Sequence, residues 1–282
     1  MNKRKVLIVG LGLIGGSYAS KLKSVGYEVG ALTLNKEDID YALENNIIDY
    51  GQVDVTKDYL NQFDFIIFSL YPSVFKDWIK KYYSYFKKGT IITDVTGVKK
   101  SIVNEIQEIL EKNEVEFIPA HPMAGREVYG VKNASKDLFL NANYLITPTK
   151  LNSLNAIEIS KELAKDLGFK NISVLSIEEH DEMIGFLSQL THCIAISLMT
   201  CKDSEHLTKY TGDSFRDLTR IAKINENMWS ELFLLNKEEL LKQMELFETN
   251  FSLLKEYIIN DDIENMKKMM KLSTFRRSRF DD

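Results

Sequence analysis

Cysteine and proline are scarce in this chain of 282 residues, with two of the first and four of the second. The two cysteines, Cys193 and Cys201, share one apolar segment; they are too few for a disulfide scaffold and wrongly set for a zinc site. Both are expected to be free, buried thiols in a reducing cytoplasm, with no metal bound. Positive charge is not in excess either. The 36 Lys and Arg face 41 Asp and Glu, giving a net charge of −5 and a pI near 5.6. A nucleic-acid surface needs a concentrated basic face, so no such partner is expected. No run approaches the ~18 uninterrupted apolar residues of a membrane span, which argues against a membrane partner. Lys3, Arg4 and Lys5 ahead of residues 6–16 imitate a secretory leader. Gly10, Gly12, Gly15 and Gly16 within that stretch suit a turn better than a leader helix.

Turn-forming residues thin out along the chain. Of 14 glycines, 11 fall at or before Gly130, and all four prolines lie at or before Pro148. Short β-type runs at 6–9, 28–32, 65–70, 90–93, 115–119, 144–147 and 172–175 alternate with helical patterns at 17–24, 74–86, 100–112 and 153–167. Several of these runs are apolar throughout, as strands covered on both faces require. From Ser176 onward only helical patterns remain. The reading is an α/β Rossmann-type domain with a mostly parallel sheet over residues 1–175, then an all-α domain over residues 176–282. Met183, Ile184, Phe186, Leu187, Leu190, Ile194 and Met199 circle one helix, which must be buried in a bundle or between subunits. A homodimer through the helical domain is expected.

Gly10-Leu11-Gly12-Leu13-Ile14-Gly15 follows an apolar strand and opens a helical pattern. In that setting the first glycine makes the turn, the second admits a pyrophosphate, and the third packs helix on strand. The helix N-terminus then offers N–H groups to the phosphates. Ser69, closing the 65–70 strand, joins the expected cofactor surface. The acid that binds a ribose 2′-hydroxyl is missing after the second strand, where Thr33-Leu34-Asn35-Lys36 stands. Thr33 removes a repulsion and Lys36 adds an attraction, so NADP is favoured over NAD; Glu37 and Asp38 remain alternatives for the ribose.

His121, after the 115–119 run, lies where ligands meet the carboxyl ends of strands, and histidine suits proton acceptance near neutral pH. A turn-capping histidine is the plainer alternative. Ser188 and His192 share a helix face, as do Asp217 and Arg220. Arg220 either pairs with Asp217 or grips a substrate carboxylate through paired hydrogen bonds. Trp229 walls a pocket or fills core. His180 and His206 gain no role from spacing alone.

These residues give the chain a resemblance to the prephenate dehydrogenase family, arogenate dehydrogenases included. The matching stretches are Gly10–Ser17, Asp94-Val95-Thr96-Gly97-Val98-Lys99, His121-Pro122-Met123-Ala124-Gly125-Arg126-Glu127, His180-Asp181 with Ser188–His192, and Phe215–Ala222 with Met228-Trp229. The resemblance implies oxidative decarboxylation of prephenate to 4-hydroxyphenylpyruvate, a tyrosine precursor, with NAD(P). It implies that His121 takes the 4-hydroxyl proton, Arg220 binds a substrate carboxylate, and His192, Ser188 and Trp229 help hold substrate. Glu127 and Asp217 would organise Arg220, and Asp94 would lie beside the cofactor. Where the family loop usually carries a serine near the catalytic histidine, this chain has Gly97, so that the serine's role is vacant, moved to Thr96 or filled by water. The resemblance brings with it no chorismate mutase or regulatory segment. Arogenate as substrate, with Arg126 among the discriminating residues, is one alternative reading. A β-hydroxyacid dehydrogenase and a non-catalytic nucleotide sensor of the same fold are the others.

Overall fold

The computed structural model describes residues 5–126 and 128–281. Strands β1 (Lys5–Val9), β2 (Glu28–Leu32), β3 (Tyr50–Gln52), β4 (Phe65–Phe68), β5 (Ile91–Asp94) and β6 (Glu116–Phe117) form one sheet, ordered β3-β2-β1-β4-β5-β6. Every pair in it is parallel. That order reverses direction between β1 and β4, and the crevice beyond their carboxyl ends is where such sheets take ligands.

The near-continuous apolar strands are explained by two cores. Val6 and Ile8 face one layer with Tyr18, Leu22, Ile159 and Leu163, while Leu7 and Val9 face another with Phe75, Ile79, Ile102 and Ile106. Successive side chains point to opposite faces, so a strand covered on both sides has no polar position to offer. The covering helices are α1 (Leu13–Ser24), α2 (Lys36–Glu44), α3 (Pro72–Tyr82), α4 (Lys100–Glu111) and α5 (Leu154–Leu167). Pro72 starts α3, where its missing N–H costs nothing, and Gly168 ends α5 in the left-handed conformation.

The strand expected at 115–119 is shorter, and a further strand that was not expected follows it. The chain leaves the large sheet after Phe117, and β7 (Ala120–Met123) pairs antiparallel with β8 (Asn143–Ile146), which runs parallel to β9 (Asn171–Val174). Pro119 at the break has no N–H to give a ladder, and Pro122 is tolerated because β7 is an edge strand. His121 therefore sits on a strand rather than in the loop expected for it, opposite Leu145.

After β9 the described chain is helical. A continuous helix, α6 (Ile177–Cys201), contains a π-helical segment, Gly185–Leu190. It is followed by α7 (Asp213–Thr219), a 3₁₀ turn Arg220–Ala222, and α8 (Glu226–Leu235). The expectation that α6 is wholly buried does not hold for this single chain: Phe186 is 45% and Leu187 52% exposed. The thiols go with it, since Cys193 is only half-buried and Cys201 is exposed. Contacts divide the chain into two compact units, Met1–Asn236 and Lys237–Asp282. The second unit consists of α9 (Lys237–Ile259), α10 (Ile263–Arg277) capped by Asp262, and a closing 3₁₀ turn.

Candidate active site

The turn after β1 is built for backbone approach. Gly10 has φ +98°, and a Cβ there would lie 2.4 Å from the Ser69 carbonyl oxygen; at Gly15 it would lie 1.9 Å from the Gly10 carbonyl oxygen. Only hydrogen fits at either position. At Gly12 nothing stands within 4 Å of an added Cβ, and Gly12 caps α1 with no side chain bonded to the helix N-terminus. Leu13 and Ile14 form the first turn of that helix. Tight packing below, open space above and unclaimed helix N–H groups together fit a dinucleotide pyrophosphate. Ser69 lies against this turn, its N–H donating to the Val9 carbonyl at 2.8 Å. Thr33 continues β2, donating to the Gln52 carbonyl. Lys36 is exposed, and its ammonium pairs with Asp40 at 2.6 Å.

Asp94 and Thr96 are placed differently from expectation. The Asp94 carboxylate is fully enclosed: it takes N–H donation from Ala120 at 3.2 Å and Thr96 at 3.1 Å, and pairs with the Lys99 ammonium at 2.7 Å. The Thr96 hydroxyl contacts that same carboxylate and the Val98 carbonyl, inside the loop. Both side chains are engaged within the fold itself. Their effect is to tie the end of β5 to the start of β7, where Lys99 also donates to the Ala120 carbonyl at 2.5 Å. The residue after Ala120 is His121.

Around His121 the structure assembles groups from both segments of its unit. An added Cβ on Gly97 would lie 3.9 Å from His121 Cε1 and 3.5 Å from Leu232, so this glycine and α8 flank the ring. His121 Nδ1 lies 3.0 Å from His180 Nε2, and His180 Nδ1 lies 2.7 Å from Asp181 Oδ1. Asp181 in turn accepts from the backbone N–H groups of Lys99 (3.0 Å) and Lys100 (2.9 Å). His180 is fully buried, whereas His121 keeps partial exposure. Desolvation holds the His121 imidazolium well below the ordinary histidine range, and the nearby His180 and Lys99 push the same way. Burial also lowers His180, against the opposing pull of its bond to Asp181.

On α6, His192 stacks on Trp229 with ring centroids 3.6 Å apart. Its Nδ1 bonds the Ser188 carbonyl at 2.8 Å, so the pair expected from their spacing joins through the main chain. The π segment explains this, because it loosens the regular ladder and the Ser188 carbonyl also accepts from the Thr191 hydroxyl at 2.7 Å. Trp229 and Leu232 are three apart and share a face of α8, which brings His192 and His121 toward one side of that helix. The Arg220 turn packs on the 191–201 part of α6; Arg220 and Asp217 are exposed, as is Arg126, whose guanidinium bonds the Asn133 carbonyl at 3.4 Å. Glu127 lies outside the described residues. His180 is the participant that spacing missed, since its role depends on a β7 neighbour 59 residues earlier in sequence.

Residues 18–173 match "Prephenate dehydrogenase, nucleotide-binding domain" and residues 176–272 match "Prephenate dehydrogenase, dimerization domain". The chain belongs to the prephenate dehydrogenase family. Among its relatives, the prephenate dehydrogenase of Lactococcus lactis is 35% identical over 86% of this chain and 68% of its own length. That of Bacillus subtilis is 29% identical over 96% and 75%. A prephenate dehydrogenase from A. aeolicus, solved with hydroxyphenyl propionate and NAD+, superposes with a TM-score of 0.90 at 31% identity, covering 99% of both chains.

Proposed function

We propose that this protein oxidatively decarboxylates prephenate to 4-hydroxyphenylpyruvate, using NAD(P). The observation that carries the reading is a partly buried imidazole, His121, beside the loop that follows β5 in a dinucleotide-type sheet, with its Nδ1 already engaged. A bound nicotinamide would supply the hydride acceptor. His121 would then take the proton of the substrate 4-hydroxyl as its carbonyl forms, and departure of the C1 carboxylate as carbon dioxide would let the ring aromatise. General-base assistance of this kind is worth roughly 10²–10⁴-fold. Because the imidazolium is disfavoured here, the base stays neutral and ready at physiological pH.

Arg220 is assigned to a substrate carboxylate, which its planar fork would grip through two bonds, with Asp217 shaping its setting. The stacked His192 and Trp229, with Ser188 behind, form the wall on the helical side. Gly10, Gly12, Leu13, Ile14, Gly15 and Ser69 are assigned to the cofactor. A preference for NADP rests on Thr33 and Lys36, and the Lys36–Asp40 pair must open to serve a 2′-phosphate. The exposed apolar side chains of α6 support a homodimer through the helical segment. The test is nicotinamide absorbance with prephenate and arogenate, each against NAD and NADP. Turnover of prephenate supports the reading, turnover of arogenate alone moves the substrate assignment, and cofactor binding without turnover of either substrate favours the sensor.

A further inference from the structure

The tautomer of His121 follows from its neighbours. Backbone N–H groups can only donate, so those of Lys99 and Lys100 fix both Asp181 oxygens as acceptors. The His180 nitrogen 2.7 Å from Oδ1 must therefore carry a proton, and a neutral His180 is left with a lone pair on Nε2. That lone pair lies 3.0 Å from His121 Nδ1 and can only accept. The reverse arrangement needs a His180 imidazolium, which burial and the Lys99 ammonium oppose. The other charged groups around the pair are Asp94, already matched to Lys99, and Asp181 itself.

We infer that His180, held by Asp181, is a positioning residue that accepts the Nδ1 proton of His121 and so turns the Nε2 lone pair of His121 toward the substrate hydroxyl. A free histidine side chain prefers its proton on Nε2, which would present a donor where an acceptor is needed. His180 reverses that preference. The consequence ties the two segments together, because the base stands on β7 and the residue setting its protonation stands on α6. This inference rests on the dehydrogenase reading for its kinetic meaning, though not for its geometry.

Two measurements separate them. In protein carrying ¹⁵N-histidine, long-range ¹H–¹⁵N spectra are expected to show His121 protonated on Nδ1 and bare on Nε2, with the H121N spectrum giving the assignment. In kinetics, His180→Leu is expected to lower kcat about 10²-fold with KM nearly unchanged, whereas His180→Gln, whose amide oxygen can still accept, recovers about tenfold of that. A wild-type His121 protonated on Nε2 overturns the inference, as does a kcat for H180L within about threefold of wild type. If the wild type turns over neither substrate, the functional reading falls, and the tautomer spectrum still decides the inference. The spectrum needs no variant at position 180, so a misfolded H180L leaves the test intact.

Discussion

As proposed, the His121 imidazole takes a proton and the Arg220 guanidinium holds a carboxylate, and kinetics can tell the two roles apart. His121→Asn keeps a polar side chain but removes the base, so kcat is expected to fall about 10²–10⁴-fold while KM stays near wild type. The proton-accepting form of His121 is favoured by burial, so the acid limb of kcat/KM is expected below the ordinary histidine value of about 6.5. A profile that bends above that value would show a different group titrating. Arg220→Ala should act mainly on KM, and Arg220→Lys should recover little, because an ammonium cannot reproduce two parallel bonds to a carboxylate. If lysine restores full affinity, Arg220 contributes only charge.

Elements place these residues, and the sequence announces some elements better than others. The β1–α1 turn is legible because its glycines are sterically compelled: Gly15 lies against the Gly10 carbonyl, and no side chain fits between. Gly15→Ala is therefore expected to separate helix from strand, costing on the order of 1–3 kcal/mol as overpacking does, and to weaken cofactor binding by titration well before turnover is examined. Gly12→Ala has open space around its Cβ and should leave the melting temperature nearly unchanged while still obstructing the pyrophosphate. Equal destabilisation by both would mean that the turn tolerates neither for a shared backbone reason. Strand β7 was harder to see, since Pro119 and Pro122 argue against a strand unless it lies on an edge. The roles of Asp94 and Thr96 were hidden for another reason. Motif position marks them as site residues, but only tertiary packing reveals that their polar atoms face inward, onto Lys99 and the amides of β7's approach. Likewise, nothing in local spacing connects His180 to His121, because the two stand 59 residues apart in sequence.

For the molecule as a whole, the two buried imidazoles make stability depend on pH. Burial lowers both His121 and His180 in the folded chain, while the unfolded chain binds their protons at about pH 6.5. Where the unfolded state holds more protons, stability rises with pH. The contribution is thus complete above about pH 6.5 and is lost as pH falls from there toward the depressed folded values. Lowered carboxylates such as Glu28, Asp49 and Glu105 act the same way, but only below their unfolded values near 4. The two windows are separate. Melting temperature measured from pH 7.5 to 5 is expected to decline already above pH 5, and His180→Gln, which removes one of the two groups, should flatten that decline even if it lowers the starting value. A melting temperature that stays level to pH 5 would mean that both rings take up their protons in the folded protein as readily as in the unfolded one. A charged His180 could not accept the His121 proton, so this experiment on global stability bears directly on the local geometry of the site.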